Sequence, residues 1–574
     1  MATKEIPYGL SDYARLALEN YYYVDKTHFI PLIEKAASFF FLIRPRRFGK
    51  SLTLSMLESY YDINNANRFE ELFGERWIYQ HPTALRAKFL ILRFNFSAVS
   101  SNIDRMLDSF EEHCKDRFID FADRYEHLFA PGFRQELMER ETAASGLSYI
   151  NTKASFLKLN LYLIIDEYDN FTNVILSEHG QQMFHDLTHA SGFYREYFKQ
   201  FKGMFDRIFM MGVSPVTLDD LSSGYNIDWN ISVDPRFNAM MGFDETEVRE
   251  MFHYYQQNDM LNGDVEAMIA EMKPWYDNYC FARKSLDDDR VFNCDMTLYY
   301  LRWQVDFHRA PEEMVDKNIR TDYSKLKMLA RIDRDSVQEG DRMSTIEKIA
   351  AEGDIFVDLH TSFPAERITD IDNFRSLLYY YGLLTMCGTR GDLIKMSIPN
   401  NCVREQYFGF LRDYYQKYSS IDLHYLNVML TDMAYDGRWK PFFESVAQAY
   451  RENSAVRDAM EGERNLQGFL KAYLALASYY LVEPELEMNY GYCDFFLLPD
   501  KKRYPDVKHS YILELKYATR TATDAELEVQ ALEGRNQLLQ YSEDKIVRCL
   551  SEGTTLHRLL LQFRGWDLVR CEEV

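Results

Sequence analysis

Along its first 245 residues the chain alternates short apolar blocks with helix-like stretches. The blocks are 39 to 43 (FFFLI), 88 to 96 (KFLILRFNF), 161 to 165 (LYLII) and 207 to 213 (RIFMMGV). Blocks of this length are the pattern of buried strands, and strands alternating with helices predict a parallel sheet with helices on both faces. From about 246 the pattern changes to helical periodicity, in ETEVREMFHYYQQ and RSLLYYYGLLTM, with few buried strands. That predicts a mainly helical lid or middle domain over 246–440, ending near the turn-forming Asp436-Gly437-Arg438. The last stretch, 441–574, opens with helices (FFESVAQAY, LQGFLKAYLALASYYL). It passes through two strands near 493–498 and 511–517 and returns to a helix at 524–541. No internal repeat or low-complexity tract interrupts this three-part plan, 1–245, 246–440 and 441–574.

Composition narrows the picture. A chain of 574 residues, 47% hydrophobic and 27% charged, has the core of a folded protein with two to four domains. Its 41 Tyr and 40 Phe against 6 Trp read as ordinary packing rather than a stacking platform for bases. A formal net charge of −23 argues against broad electrostatic coating of nucleic acid and leaves room only for a local basic groove. The eight cysteines form no CxxC pair, so neither a cysteine zinc site nor a disulfide framework is expected, and a reducing compartment is the simplest home. The N-terminus lacks an apolar leader core and no run approaches the length of a membrane span. The expectation is a soluble, cytoplasmic protein with no membrane partner.

The first candidate chemistry follows the first apolar block. In RPRRFGKSLTLSML the strand-like run meets a basic loop, and Gly49-Lys50-Ser51 opens a helix. A helix N-terminus presents free N–H groups and a positive dipole end to phosphate. Lys50 would reach the β/γ oxygens of ATP and the Ser51 hydroxyl would ligate Mg²⁺. The first glycine of the usual GxxxxGK[ST] pattern is replaced by Arg44. Arg44, Arg46 and Arg47 read either as cations for the γ-phosphate or as solvated loop residues, with the first favoured for Arg46 or Arg47. The block at 161 to 165 ends in Asp166 and Glu167, where Asp166 would hold Mg²⁺ through water and Glu167 would orient or deprotonate the attacking water.

A second candidate lies near the C-terminus. In YILELKY (511–517) strand alternation puts Glu514 and Lys516 on one face, and Asp494 stands twenty residues upstream. Two carboxylates converging from adjacent strands can hold Mg²⁺ or Mn²⁺ while a lysine positions the attacking water, which is chemistry for phosphodiester hydrolysis. The acid-bearing helix around Glu463 adds modestly to this reading. His185 and His189 in HDLTH have the spacing of a zinc-protease helix, but aspartate replaces the glutamate base and no third ligand follows. No metal is assigned to them.

Taken in order, RPRRFGKS, YYYVDKT (21–27), LIIDEYD, MGVSPV (211–216), WYDNY (275–279), YYGLLT (380–385) and IPNNCVREQY (398–407) resemble the bacterial AAA-ATPase-like proteins with a C-terminal PD-(D/E)xK nuclease domain. The resemblance implies an AAA/STAND-like P-loop NTPase, a helical or winged-helix lid and a restriction-endonuclease-like α/β domain. It implies that Gly49, Lys50 and Ser51 match the Walker A residues, Asp166 and Glu167 the Walker B pair, and Ser214 a polar sensor. Tyr23, Asp25 and Lys26 match a stretch that flanks the nucleotide. In the nuclease part it implies a metal set of Glu487, Asp494 and Glu514 with Lys516, while Gln537 and Tyr541 resemble the Q…Y of the next helix. Cys493 stands where many members carry arginine. The expected function is an ATP-binding and hydrolysing protein whose nucleotide state gates a metal-dependent nuclease acting on DNA or RNA, with defence against foreign nucleic acid as a biological use. The alternative is a signalling or scaffold NTPase whose nuclease-like domain binds a protein partner without cutting. A homo-oligomer is compatible with either, although the sequence shows no dedicated interface.

Overall fold

The structure is a computed structural model. It describes the chain apart from residues 1–2, 176–183, 185, 187–191, 202, 217–228, 289, 317–325, 327–328, 330–338, 365–366, 369, 417–421, 453–462, 477–478, 489–490 and 502. Side chains at 339–341, 464–465, 482–488 and 491–492 are also outside the description. The chain divides into two compact units, Met1–Glu339 with Phe356–Cys402, and Gly340–Ile355 with Val403–Val574. Residues 340–355 and 403–440 therefore group with the C-terminal sheet rather than with the rest of the stretch 246–440.

The four apolar blocks of the first unit are strands β1 (Phe39–Ile43), β2 (Phe89–Asn95), β3 (Asn160–Asp166) and β4 (Arg207–Gly212). A two-residue β5 (Trp229–Asn230) completes a sheet of order β2-β3-β4-β1-β5, parallel at every described pairing. All six residues of β4 are buried, as a strand covered on both faces requires. In this sheet Ile43 pairs with Gly212 and Asn95 with Asp166. The carboxyl ends of β1, β3 and β4 thus reach the edge where ligands bind in α/β sheets. Helix α1 (Lys50–Tyr61) leaves the loop after β1, and α2 (Ile103–Tyr125) buries its Met106, Phe110, Cys114, Phe118 and Phe121 stripe.

Residues 245–257 form α3 (Glu245–Gln257), begun by a capping box between Asp244 and Glu247. It shares a core with the helix Val265–Tyr276 and with α4 (Cys294–Phe307). The apolar run 375–386, read as one helix, is divided. Helix α5 (Ile371–Tyr380) stops where Gly382 takes a left-handed φ of 76°, and a strand follows. That strand belongs to a small sheet, β6 (Asp354–Val357), β7 (Thr385–Arg390) and β8 (Leu393–Ser397), in the order β6-β8-β7. Helix α5 followed by the β7–β8 hairpin is a winged-helix arrangement. These strands are short and half exposed, so they leave no apolar block in the sequence.

The second unit holds a five-stranded sheet, β9 (Tyr480–Met488), β10 (Gly491–Pro499), β11 (His509–Ala518), β12 (Thr555–Arg564) and β13 (Asp567–Glu573), ordered β13-β12-β11-β10-β9. Only β11 and β12 run parallel. Helix α6 (Glu463–Leu474) precedes the sheet and α7 (Asp524–Ser542) makes the crossover between the parallel pair. The run 466–481, read as one helix, ends its helix at Leu474 and enters β9 at Tyr480. Strands β9, β12 and β13 escape the two-strand reading because charged residues interrupt them, as in YLVEPELEM and DLVRCEE.

Candidate active sites

The basic loop after β1 is organised by Arg44. Its guanidinium is 1% exposed, donates to the carbonyls of Ile43, Ser232 and Phe237 at 2.9, 2.7 and 2.9 Å, and lies 4.2 Å from the Phe281 ring centroid. The residue in place of the first glycine is therefore neither a phosphate cation nor a solvated one; it pins the loop to its own core. Gly49 takes φ 81° as the N-cap of α1, a conformation that side-chain-bearing residues avoid, and Lys50 and Ser51 form the first helical turn. The Lys50 ammonium is buried and donates to the carbonyls of Arg44 and Pro45 at 3.1 and 2.8 Å. Burial pushes its pKa down to about 8, opposed by Asp166, Glu167 and Asp169.

Ser51 Oγ donates to Asp166 Oδ2 at 2.7 Å, so the hydroxyl after the lysine and the acid ending β3 meet across the sheet. Asp166 Oδ1 is buried without a hydrogen-bond partner. Glu167 follows at φ 51°, and burial raises its pKa while Arg46 lowers it. The two loop arginines diverge: Arg46 donates to Asn170 Oδ1 at 3.2 Å, whereas Arg47 pairs with Asp295 of α4 at 3.9 Å. Ser214 is buried beyond β4, its backbone N–H donating at 2.5 Å to Asp169 Oδ2, which also accepts from Val213 N at 3.0 Å. Asp169, unassigned from sequence, thus ties the end of β4 to the turn after β3. Its signal was its place in the acid run DEYD.

Beside Gly49 and Leu52 lies a pocket of about 80 Å³, lined largely by apolar groups that include Leu10, Tyr22, Tyr23, Val24 and Met240. Tyr23 and Lys26 of the YVDKT stretch line this pocket. Lys26 is tied to Glu247 at 2.7 Å and to the Ala239 carbonyl at 2.9 Å, and Asp25 is spent on the backbone N–H groups of Thr27 and Trp77.

In the second unit, Phe495 of β10 pairs with Leu513 of β11, and the same register carried one residue on sets Asp494 across from Glu514. Instead of continuing the ladder, Asp494 Oδ2 accepts from Leu515 N at 2.7 Å, which fixes the carboxylate by backbone. Glu514 is 4% exposed; Oε1 accepts from Lys516 Nζ at 2.8 Å and Oε2 is buried without a partner. Burial first, then the Asp494 charge, raises the Glu514 pKa well above the carboxylate range, and burial raises Asp494 as well. Gln467 of α6, unassigned from sequence, donates to Asp494 Oδ1 at 2.8 Å. The signal was there in the spacing. Glu463, Gln467 and Lys471 recur every four residues on α6. Glu463 acts on Glu514 electrostatically, and Lys471, 2% exposed, acts on Asp494. Cys493 is buried among Phe496, Ile512, Leu538 and Tyr541. Gln537 Nε2 reaches Tyr541 Oη at 3.5 Å.

Glu487 pairs with Tyr492 in the sheet, but its side chain lies outside the described residues, as do His185 and His189. Among the described residues no three or more His, Cys, Asp or Glu side chains close on a metal position by themselves. Mg²⁺ keeps several waters and binds through one or two carboxylates. The oxygen donors at each site, with an unpartnered oxygen on Asp166 and another on Glu514, fit such an ion.

The two units define a class: an α/β P-loop NTPase with a helical and winged-helix lid, and a restriction-endonuclease-like α/β unit. Residues 7–222 match the family described as predicted AAA-ATPase, and residues 461–573 match the PD-(D/E)XK nuclease superfamily. The chain thus carries an AAA-ATPase-like domain followed by a domain of the PD-(D/E)XK nuclease superfamily. A curated relative, "Uncharacterized protein in vnfD 5'region" of Azotobacter chroococcum mcd 1, is 27% identical over 298 residues. That alignment takes in 49% of each chain, so this chain spans about half the length of the relative it matches. Among solved structures, Cdc6p from Pyrobaculum aerophilum is 11% identical over 65% of this chain and 87% of its own, with a TM-score of 0.24. The Aeropyrum pernix Orc1 protein in complex with DNA is 9% identical over 69% and 90%, with a TM-score of 0.25. At those scores neither neighbour adds to the reading of the sites. No helix among the described residues is long and apolar enough to cross a membrane.

Proposed function

We propose that the chain binds and hydrolyses ATP in its first unit and hydrolyses phosphodiester bonds of nucleic acid in its second, with the nucleotide state gating the cut. The observation that carries the nuclease reading is Glu514, a nearly fully buried carboxylate with a free oxygen, flanked by Asp494 and Lys516. Leaving a buried acid half-satisfied is costly, and a purely structural strand has no use for it.

In the first unit Lys50 exchanges its loop carbonyls for phosphate oxygens, whose negative charge offsets the burial that disfavours its ammonium form. Glu167 orients the attacking water, Arg46 serves the phosphates from the Asn170 side, and the apolar pocket beside Gly49 takes the base. Ser51 and Asp166 would hold Mg²⁺ there. In the second unit Asp494 and Glu514, with Glu487 on the neighbouring strand, would hold Mg²⁺ or Mn²⁺, and Lys516 positions the water. The bound ions supply positive charge to the phosphate oxygens. Defence against foreign nucleic acid is the biological use this pairing of activities suits, and the cytosol its place.

The second reading, a scaffold NTPase whose nuclease-like unit binds a protein, is favoured by the net charge of −23, which repels polyanions. The experiment is cleavage of labelled single- and double-stranded DNA and RNA with Mg²⁺ or Mn²⁺, with and without ATP, beside Glu514→Gln. Cleavage lost in the variant supports the nuclease; no cleavage of any substrate in either nucleotide state favours the scaffold.

A further inference from the structure

The N-terminus of α4 brings an acid to the phosphate-binding loop. Asp295 pairs with Arg47 at 3.9 Å, its backbone N–H points at the Arg47 carbonyl at 3.5 Å, and it lines the apolar pocket beside Gly49 and Thr53. Arg47 is held at φ 69°, unusual for a residue with a side chain. Neither partner is well solvated, their side chains being 35% and 23% exposed. Asp295 is influenced by Arg47, by Lys50 and by Asp316, the last of which accepts a hydrogen bond from Tyr8. A nucleotide held by Lys50 would therefore bring phosphate charge to a cation already engaged by a carboxylate.

We propose that Asp295 is an internal competitor for Arg47 that sets how the site tells a nucleoside triphosphate from a diphosphate. This rests on the nucleotide reading above. With a diphosphate bound, Arg47 stays with Asp295. A γ-phosphate, carrying more charge than one carboxylate, draws Arg47 away and leaves Asp295 facing phosphate. The first turn of α4 is thereby pushed from the loop, so the contact that limits triphosphate affinity is also the one that reports its arrival.

The test is titration of the full-length protein with fluorescent ATP and ADP in Mg²⁺, for wild type, Asp295→Asn, Arg47→Ala and the double variant. Asp295→Asn is expected to tighten ATP roughly tenfold more than ADP, a coupling of the size common between linked sites. Arg47→Ala is expected to bring the two affinities close together, and adding Asp295→Asn to it should leave their ratio unchanged. An Asp295→Asn gain that persists undiminished without Arg47 overturns the proposal in favour of simple repulsion between carboxylate and phosphate. An unchanged ratio in Asp295→Asn, or an ATP preference retained in Arg47→Ala, overturns it as well. Should Asp295→Asn not fold, the Arg47→Ala ratio decides alone. A wild type that binds neither nucleotide overturns the nucleotide reading itself.

Discussion

Glu514 and Arg44 are both buried ionisable residues with opposite effects, the first costing stability and the second supplying it. The folded-state pKa of Glu514 lies above its unfolded value, so its contribution to stability is fully present at acidic pH and is lost as pH rises through the folded pKa. Glu514→Gln should therefore raise the melting temperature at pH 8, by on the order of 1 kcal/mol of stability, and change it little at pH 4. Thermal unfolding at the two pH values checks this, and the same variant should not cleave. Because the carboxylate must ionise to hold a cation, cleavage by the wild type should climb between pH 6 and 8. Arg44→Gly, although it restores the usual loop pattern, removes three hydrogen bonds to buried carbonyls. It should cost roughly 2–4 kcal/mol, read as a lowered denaturant midpoint. Glu167→Gln should keep ATP binding and slow hydrolysis by about 10²-fold or more in single-turnover assays. Lys50, Ser51, Asp166 and Glu514 could be named from local pattern, because their neighbours in sequence define the turn or strand that carries them. Arg44 could not, since its partners at Ser232 and Phe237 lie far along the chain.

At the level of elements, the buried parallel strands were legible and the half-exposed ones were not. Strands β1 to β4 are continuous apolar blocks because helices cover both faces, whereas β9 and β13 carry charges along their length. Two runs read as single helices each contain a helix and the start of a strand, because apolar content alone does not register where a backbone turns. Helix α6 is legible from its periodicity, whereas the meeting of Gln467, in its stripe Glu463, Gln467, Lys471, with Asp494 is not. Gln467→Ala should leave the fold intact and reduce cleavage roughly 10- to 100-fold, as for outer partners of a metal ligand. The loss should be partly recovered by raising Mn²⁺, which a titration of cleavage rate against metal will show.

Across the molecule, the decisive arrangement is one chain carrying both an AAA-ATPase-like domain and a domain of the PD-(D/E)XK nuclease superfamily. Gating requires that ATP change the cleavage rate and that Lys50→Ala remove the change while keeping Mn²⁺-dependent cutting; an equal rate in both proteins with and without ATP would separate the two activities. The lining of each site reached different depths of legibility. Sequence was sufficient for the fold class and the order of motifs, and it proposes residue types for each candidate centre, because a helix opened by Gly-Lys-Ser after a buried strand and an acid-x-lysine strand are local signatures. Only the folded chain could bring Ser51 onto Asp166, turn Arg44 inward, set Asp494 opposite Glu514 with Gln467 behind it, and place Asp295 against Arg47. Those are meetings between segments distant in sequence, and side-chain packing and strand register, rather than local propensity, decide which of them occur.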